Sequence, residues 1–170
     1  MTILDAVKNR RSIRKFLQKE IPNTILEDLK EALIWAPSAG NLQARKFYFV
    51  FEKKTKEKLA IAALNQNFIL KAPLTIVACT DSHIGLHYRE RGVNLFAIQD
   101  AAASIMGMML VAHELGLGSV WIGAFDEIEV SKILNLPDNL RPVALVPVGF
   151  PLSIPSAPPR VSTEYAIIEI

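Results

Sequence analysis

The chain has 170 residues, 51% hydrophobic and 21% charged, with a formal net charge of +2. That length and composition describe a single globular domain over residues 1–170 and exclude a disordered chain. The small net charge excludes a general polyanion binder, and one cysteine, Cys79, excludes an intrachain disulfide.

Thr2 and Asp5 form a loose capping box ahead of a short helix with Ile3, Leu4 and Val7 on its apolar side. The helix should fray near Asn9 or Arg10. Pro22 and Asn23 open a second helix, whose apolar residues Ile25, Leu26, Leu29, Leu33 and Ala36 follow helical spacing until Pro37 and Gly40 stop it. KFYFVF, Lys46 to Phe51, predicts a buried strand, and Lys54 to Leu64 a third helix. LTIVACT, Leu74 to Thr80, predicts a second buried strand after Pro73. Asp81 to Gly92 shows no clean period and is expected to be a mobile surface stretch.

The longest predicted helix runs roughly from Val93 to Leu115. From Ala101 to Ala112 it is apolar on every face, as a helix buried on all sides would be. One monomer this small has trouble covering it, which points to a dimer, although a central helix in a monomer core fits the same pattern. The run is far shorter than a membrane span. SVWIG predicts a short strand and Glu127 to Leu134 a small helix. Pro142 to Phe150 predicts a strand, and Pro147 within it points to an edge or a bulge. A Pro-rich passage follows, and TEYAIIEI closes the chain as an expected strand reaching outward.

Charge is unevenly placed. Between Asp5 and Glu20 lie six bases (Lys8, Arg10, Arg11, Arg14, Lys15 and Lys19) and no acid, while the remainder carries 13 bases and 17 acids. A mildly acidic body therefore carries one basic segment. Arg grips phosphate through paired hydrogen bonds and Ser12 adds a hydroxyl donor. In an extended segment Arg10, Ser12 and Arg14 share one side. A solvated basic turn is the plainer interpretation of the same residues. No P-loop is present, and GLGSVW, Gly116 to Trp121, lacks the third glycine of a dinucleotide fingerprint, so its glycines fit a helix stop. PSAGNLQARKF gathers Ser38, Asn41 and Gln43 around Gly40, which suits either a polar ring edge or simple turn chemistry. His83 and His87 are four apart, but Gly85 lies between them and the segment lacks a helical pattern, so no metal site is expected. Cys79, in a buried strand, is expected to be inert. No convincing catalytic triad is present. Asp5 and Lys8 interrupt any early apolar run, so no signal peptide is expected and the protein should be soluble and cytoplasmic.

Four segments in order, RRSIRKF, APSAGNLQARKFYFV, KAPLTIVAC and QDAAASIMGMMLVAHELGLGSVWIGAF, together resemble the FMN-dependent nitroreductase family over nearly the whole chain. The resemblance implies an α+β fold: a central mixed, mostly antiparallel sheet flanked by helices, in an intertwined homodimer with the C-terminal tail reaching the partner. It implies FMN as cofactor. Arg10 and Ser12 match the phosphate contacts, with Arg11 beside them and Arg14 toward the pyrimidine edge. Pro37, Ser38 and Asn41 match a loop that reaches the flavin of the other subunit. Asn65 matches a pyrimidine contact, Gly123 and Ala124 match backbone near flavin N5, and Arg160 matches a late basic residue on the phosphate. Some members carry a Lys where this chain has Phe68, which leaves Arg14 as the positive charge there. The implied activity is an NAD(P)H-dependent oxidoreductase that passes hydride from NADH or NADPH to FMN and on to a small-molecule acceptor such as a nitroaromatic or quinone, in a ping-pong sequence. The alternatives are other flavin chemistry on this fold, namely reductive dehalogenation or flavin fragmentation, and a non-catalytic nucleic-acid-binding module. The last is disfavoured by the low net charge and by Phe16 standing alone as an aromatic in the basic segment. Neither nucleic acid nor membrane is an expected partner.

Overall fold

A computed structural model describes residues 2–170. Helix α1 covers Ile3–Asn9, and its capping box is formed as the sequence predicts: Thr2 Oγ1 accepts from the Asp5 N–H and the Asp5 carboxylate accepts from the Thr2 N–H. Helix α2 spans Asn23–Ile34, β1 Arg45–Val50, α3 Lys53–Ala62 and β2 Leu74–Asp81. Helix α4 spans Gly85–Arg91 and runs through a π-helical turn, Gly92–Phe96, into α5, Ala97–Glu114. Then come β3 at Gly118–Ser119, α6 at Glu127–Leu134, β4 at Leu140–Gly149 and a single turn, α7, at Thr163–Ala166.

The four strands form one antiparallel sheet in the order β1-β2-β4-β3. A parallel bridge between Ser12 and Ser119 adds the basic segment beside β3. Residues alternate between sheet faces. Leu74, Ile76, Ala144, Val146 and Val148 pack with Leu29 and Leu33 of α2 and Ile105 and Met108 of α5. Val77, Cys79 and Leu145 pack on the other face with Leu59 and Ala60 of α3 and Val130 of α6. Both faces of β2 are thus covered, which explains its unbroken apolar run. Each of these large side chains contributes about 1.5–3 kcal/mol by leaving water.

By length and composition the helical run Ser82–Glu114 could cross a membrane. Its α5 portion is instead the central helix of the first core, packed against α2 and the sheet.

Several elements depart from the sequence expectation. Strand β4 is internal, not an edge. Pro147 is tolerated because its carbonyl accepts from Val120 N–H, so its nitrogen faces the side on which β3 has already ended. Nor does Pro147 mark a bulge: it pairs with Thr75 in regular register, and the register shift lies further along, between the Ala78–Ala144 and Cys79–Pro142 pairs. Asp81 to Gly92 is not irregular but holds a 3₁₀ turn and α4, broken by Arg89 at φ 52°, ψ −147°. TEYAIIEI is not a strand: Ser162 caps the turn α7 and the rest is irregular. From Leu152 to Ile170 every residue is exposed, including Leu152, Ile154, Tyr165, Ile167 and Ile168. The tail is an exposed arm whose root runs beside the basic segment, with Leu152 N–H donating to the Lys15 carbonyl at 2.9 Å.

Candidate functional site

The basic segment leaves α1 at Arg10, whose backbone turns extended at φ −57°, ψ 134°. Ile13 N–H then donates to the Ser119 carbonyl at 3.0 Å. Ile13 and Phe16 are buried, while Arg14 and Lys15 are exposed. The approach to β3 is close because position 118 is glycine: a Cβ there would lie 2.7 Å from Ile13 Cβ and 2.9 Å from its Cγ2.

The Arg10 guanidinium is half-buried, and its Nε and Nη1 are fully enclosed without a hydrogen-bond partner. Burial, then the positive charges of Arg160 and Arg11, push its pKa below the ordinary value. A desolvated cation with like charges around it is costly unless an anion joins it. Arg160, distant in sequence, is thus brought to Arg10 by the arm, while its own Nη1 donates to the carbonyls of Pro158 and Pro159. Arg11 turns back, Nη1 donating to the carbonyls of Lys8 and Arg10 at 2.7 and 3.0 Å, and so caps the end of α1.

Arg14 lies 5.9 Å from the centre of the Phe68 ring, in the turn that follows Asn65. Leu64 and Asn65 both adopt left-handed backbone, φ 57° and 60°. For Leu64 this is a strained conformation, of the kind that the surrounding structure must enforce. Gln66 N–H closes the turn by donating to the Ala60 carbonyl at 3.1 Å, and two further bonds tie it to the next loop: Gln66 Nε2 donates to the Ala124 carbonyl at 3.2 Å, and Asp126 N–H donates to the Ala62 carbonyl at 2.8 Å. The loops carrying Asn65 and Gly123–Ala124 are therefore neighbours. Gly123, Ala124 and Asn65 are all exposed, and Trp121 beside them is 39% exposed. Phe125 belongs to the second core.

One protomer does not bring Pro37, Ser38 and Asn41 to this place. They precede β1, across the full width of the sheet and near the opposite end of the strands. From Ser119 to Arg45 the strand order and register span roughly 25 Å. That loop is nevertheless built rigidly. Arg45, 6% exposed, donates to the carbonyls of Ile34, Ala36 and Pro37 at 3.2, 2.6 and 3.2 Å. Asp100 of α5, also buried, accepts from Ala39 N–H at 2.9 Å. Ser38 Oγ accepts from Gln43 N–H at 3.1 Å, and Gly40, Asn41 and Gln43 all have positive φ.

The sequence reasoning missed Gln66, Arg45, Asp100 and Gly118. The signal for Gly118 was visible, but as a helix stop rather than as a close approach. His83 Nδ1 lies 2.8 Å from Asp81, whose carboxylate also accepts from Asn139 at 3.0 Å. Cys79 is buried and its thiol is pushed up to about 12 by burial, consistent with the inert role expected of it.

A basic segment with an unpartnered guanidinium, set beside an exposed loop pair on an α+β scaffold, defines a class of anion-binding site suited to a phosphorylated cofactor. The nitroreductase family model matches residues 7–69 and 54–150. The chain is 30% identical over 159 residues to a Methanothermobacter thermautotrophicus protein provisionally named NADH dehydrogenase/NAD(P)H nitroreductase, covering 91% of this chain and 80% of that one. It is 27% identical to an FMN reductase [NAD(P)H] of Bacillus subtilis, over 95% of this chain and 71% of the relative. Among solved structures it is similar to the NADPH:FMN oxidoreductase of Vibrio harveyi complexed with NAD+, with a TM-score of 0.90 and 25% identity over 98% of this chain and 76% of that one. This chain belongs to the nitroreductase family.

Proposed function

We propose that this chain is an FMN-dependent oxidoreductase that works as a cytoplasmic homodimer. The observation that carries the reading is the Arg10 guanidinium, half-buried, unpartnered at Nε and Nη1, and surrounded by further positive charge. It fits a dianionic phosphate, and the relatives named FMN reductase or NADPH:FMN oxidoreductase support FMN as its owner. When bound, FMN supplies the redox chemistry, taking a hydride from NADH or NADPH and passing electrons to a second acceptor, a nitroaromatic or quinone, in a ping-pong sequence.

The chain's residues bind, orient and tune. Arg10, Ser12 and Arg160 hold the phosphate, with Arg11 fixing the turn beside it. Arg14, exposed and resting against Phe68, holds positive charge at the pyrimidine edge, where it favours the reduced state. Asn65 contacts the same edge, held by its left-handed backbone and the Gln66 bond to Ala124. Gly123 and Ala124 offer backbone at the reacting side of the ring.

The dimer reading is supported by the loop at Pro37, Ser38 and Asn41. It is rigid and polar but lies far from its own protomer's basic segment, so a second copy is needed to complete the site. The arm from Leu152 to Ile170 supports the same reading, since its apolar side chains Tyr165, Ile167 and Ile168 are all exposed on their own chain. The single buried cysteine accords with a reducing compartment.

The test is an absorption spectrum of the purified protein, followed by anaerobic addition of NADH and of NADPH. Flavin absorbance that either nucleotide bleaches is the expected result. Protein that is colourless and takes up no added FMN would overturn the reading.

A further inference from the structure

The loop before β1 takes an uncommon backbone path. Gly40, Asn41 and Gln43 all lie in the left-handed region, at φ 55°, 57° and 53°. For asparagine and glutamine this is a conformation that the surroundings must hold. Asn41 and Gln43 are exposed, but the loop rests on apolar side chains: Ala39, Leu42 and Ala44 pack with Ile84, Val93 and Ala97. A Cβ at position 40 would lie 2.5 Å from the Tyr88 hydroxyl oxygen, so α4 also seats against the turn.

Two buried charges lie beneath the same loop. The Arg45 guanidinium spends its bonds on three carbonyls, those of Ile34, Ala36 and Pro37. Burial pulls its pKa below the ordinary value, and the charge of Asp100 opposes that. Asp100 gives Oδ1 to the Ala39 N–H, while its Oδ2 is enclosed without a hydrogen-bond partner. Burying charge is costly. Ending α2 does not require it, since a glycine or an exposed lysine serves at a helix C-terminus. What the two charges add is the path of the loop: Arg45 fixes the carbonyls of Ala36 and Pro37 at its entry, and Asp100 fixes the N–H of Ala39 within it.

Resting on the reading that Pro37, Ser38 and Asn41 complete the flavin site of a second copy, we infer that Arg45 and Asp100 are positioning residues acting in trans, holding one protomer's loop in the shape that the partner's flavin requires. Neither side chain touches the flavin. Each acts through the backbone that carries Ser38 and Asn41. Their loss should therefore be felt at the site built on the other protomer's basic segment, not at the site built on their own.

The test uses mixed dimers. Arg45→Met and Asp100→Leu are made separately, so that a folding failure in one leaves the other, and FMN affinity is read by fluorescence titration beside thermal melting. Each pure variant should bind FMN about tenfold more weakly, the equivalent of about one hydrogen bond. Asp100→Asn should keep most of the affinity, because its amide oxygen still accepts from Ala39 N–H. Each variant is then paired, through two different tags, with a chain carrying Arg10→Ala and Ser12→Ala. One site of the mixed dimer joins an intact basic segment to an intact loop, so one FMN should bind with wild-type affinity. A general folding defect would not be repaired this way. Unchanged affinity in the pure variants, or no recovery in the mixed dimer, would overturn the inference. Ser38→Ala with Asn41→Ala separates it from the reading beneath it. If that double variant loses FMN while the Arg45 and Asp100 variants do not, only the positioning role is wrong. If it keeps wild-type affinity, or if the protein is a monomer on gel filtration, the loop does not complete a partner's site and the reading itself fails.

Discussion

Replacing Gly118 by alanine should damage both the fold and cofactor retention through a single contact. The added methyl would meet Cγ1, Cβ and Cγ2 of Ile13, the last two at 2.7 and 2.9 Å. Ordinary carbon contacts lie near 3.5–4.0 Å, so the two backbones must part by about 1 Å. Neither side has a flexible end to give way. Ile13 is 3% exposed and its N–H is bonded to the Ser119 carbonyl. Overpacking of this kind costs about 1–3 kcal/mol, which for a chain of this length lowers Tm by about 2–12 °C. Ser12 and Arg14 flank Ile13 and Arg10 lies three residues before it, so the same displacement should weaken FMN binding by at least about tenfold, since ligand geometry tolerates little error. Thermal melting and a fluorescence titration with FMN measure the two effects. Gly123→Ala is the control for stability, because a Cβ there meets nothing within 4 Å. A Gly118→Ala protein with wild-type Tm and wild-type FMN affinity would refute the reasoning.

Lys56→Met should lower stability by about 1–3 kcal/mol, because the buried ammonium donates to the carbonyls of Ala72 and Pro73 at 2.6 and 3.3 Å and the substitution leaves them unpaired; a chemical denaturation midpoint equal to wild type would count against this. Arg141→Met removes the two-bond pair with Glu127, at 2.8 Å each, which holds the Glu127 carboxyl below its ordinary value of 4.5. Both side chains are about half exposed, so the loss at pH 7 should stay under about 1 kcal/mol. A depressed carboxyl stabilises above its unfolded pKa and ceases to as pH falls through the folded one, so the gap between variant and wild type in urea melts should begin to narrow as pH drops below 4.5; a gap that does not narrow with falling pH would show that the ion pair is not its source.

What was legible in the sequence was mostly local or periodic. The Thr2–Asp5 box, the spacing of Leu29 and Leu33, and the apolar run of β2 each depend on neighbours within a turn or a strand. What was not legible depended on distant partners. Pro147 pointed to an edge because the sequence does not say that β3 is only two residues long. TEYAIIEI has the residues of a strand, but a strand needs a neighbour to pair with, and within one protomer the arm has none. The candidate site shows the same division. Arg10, Ser12 and Arg14 were visible as a cluster, and the family resemblance pointed to Asn65, Ala124 and Arg160. Gln66, which ties two of those loops together, looked like any surface glutamine. Arg45 looked like one more base in a loop, although it is buried and holds three carbonyls of the segment before it.

The crowding of Arg10 by Arg11 and Arg160 bears on the life of the protein in a cell. Cations held together in a partly dry place strain the chain until an anion joins them. A ligand present at a hundred times its Kd adds about 2.7 kcal/mol to the stability of a folded chain, and shifts of 1–2 kcal/mol are enough to alter how much of a protein survives proteolysis. Flavin supply would therefore set abundance as well as activity. Chains made when the vitamin is scarce would be the ones cleared first, so that the pool of polypeptide follows the pool of cofactor without a dedicated regulator.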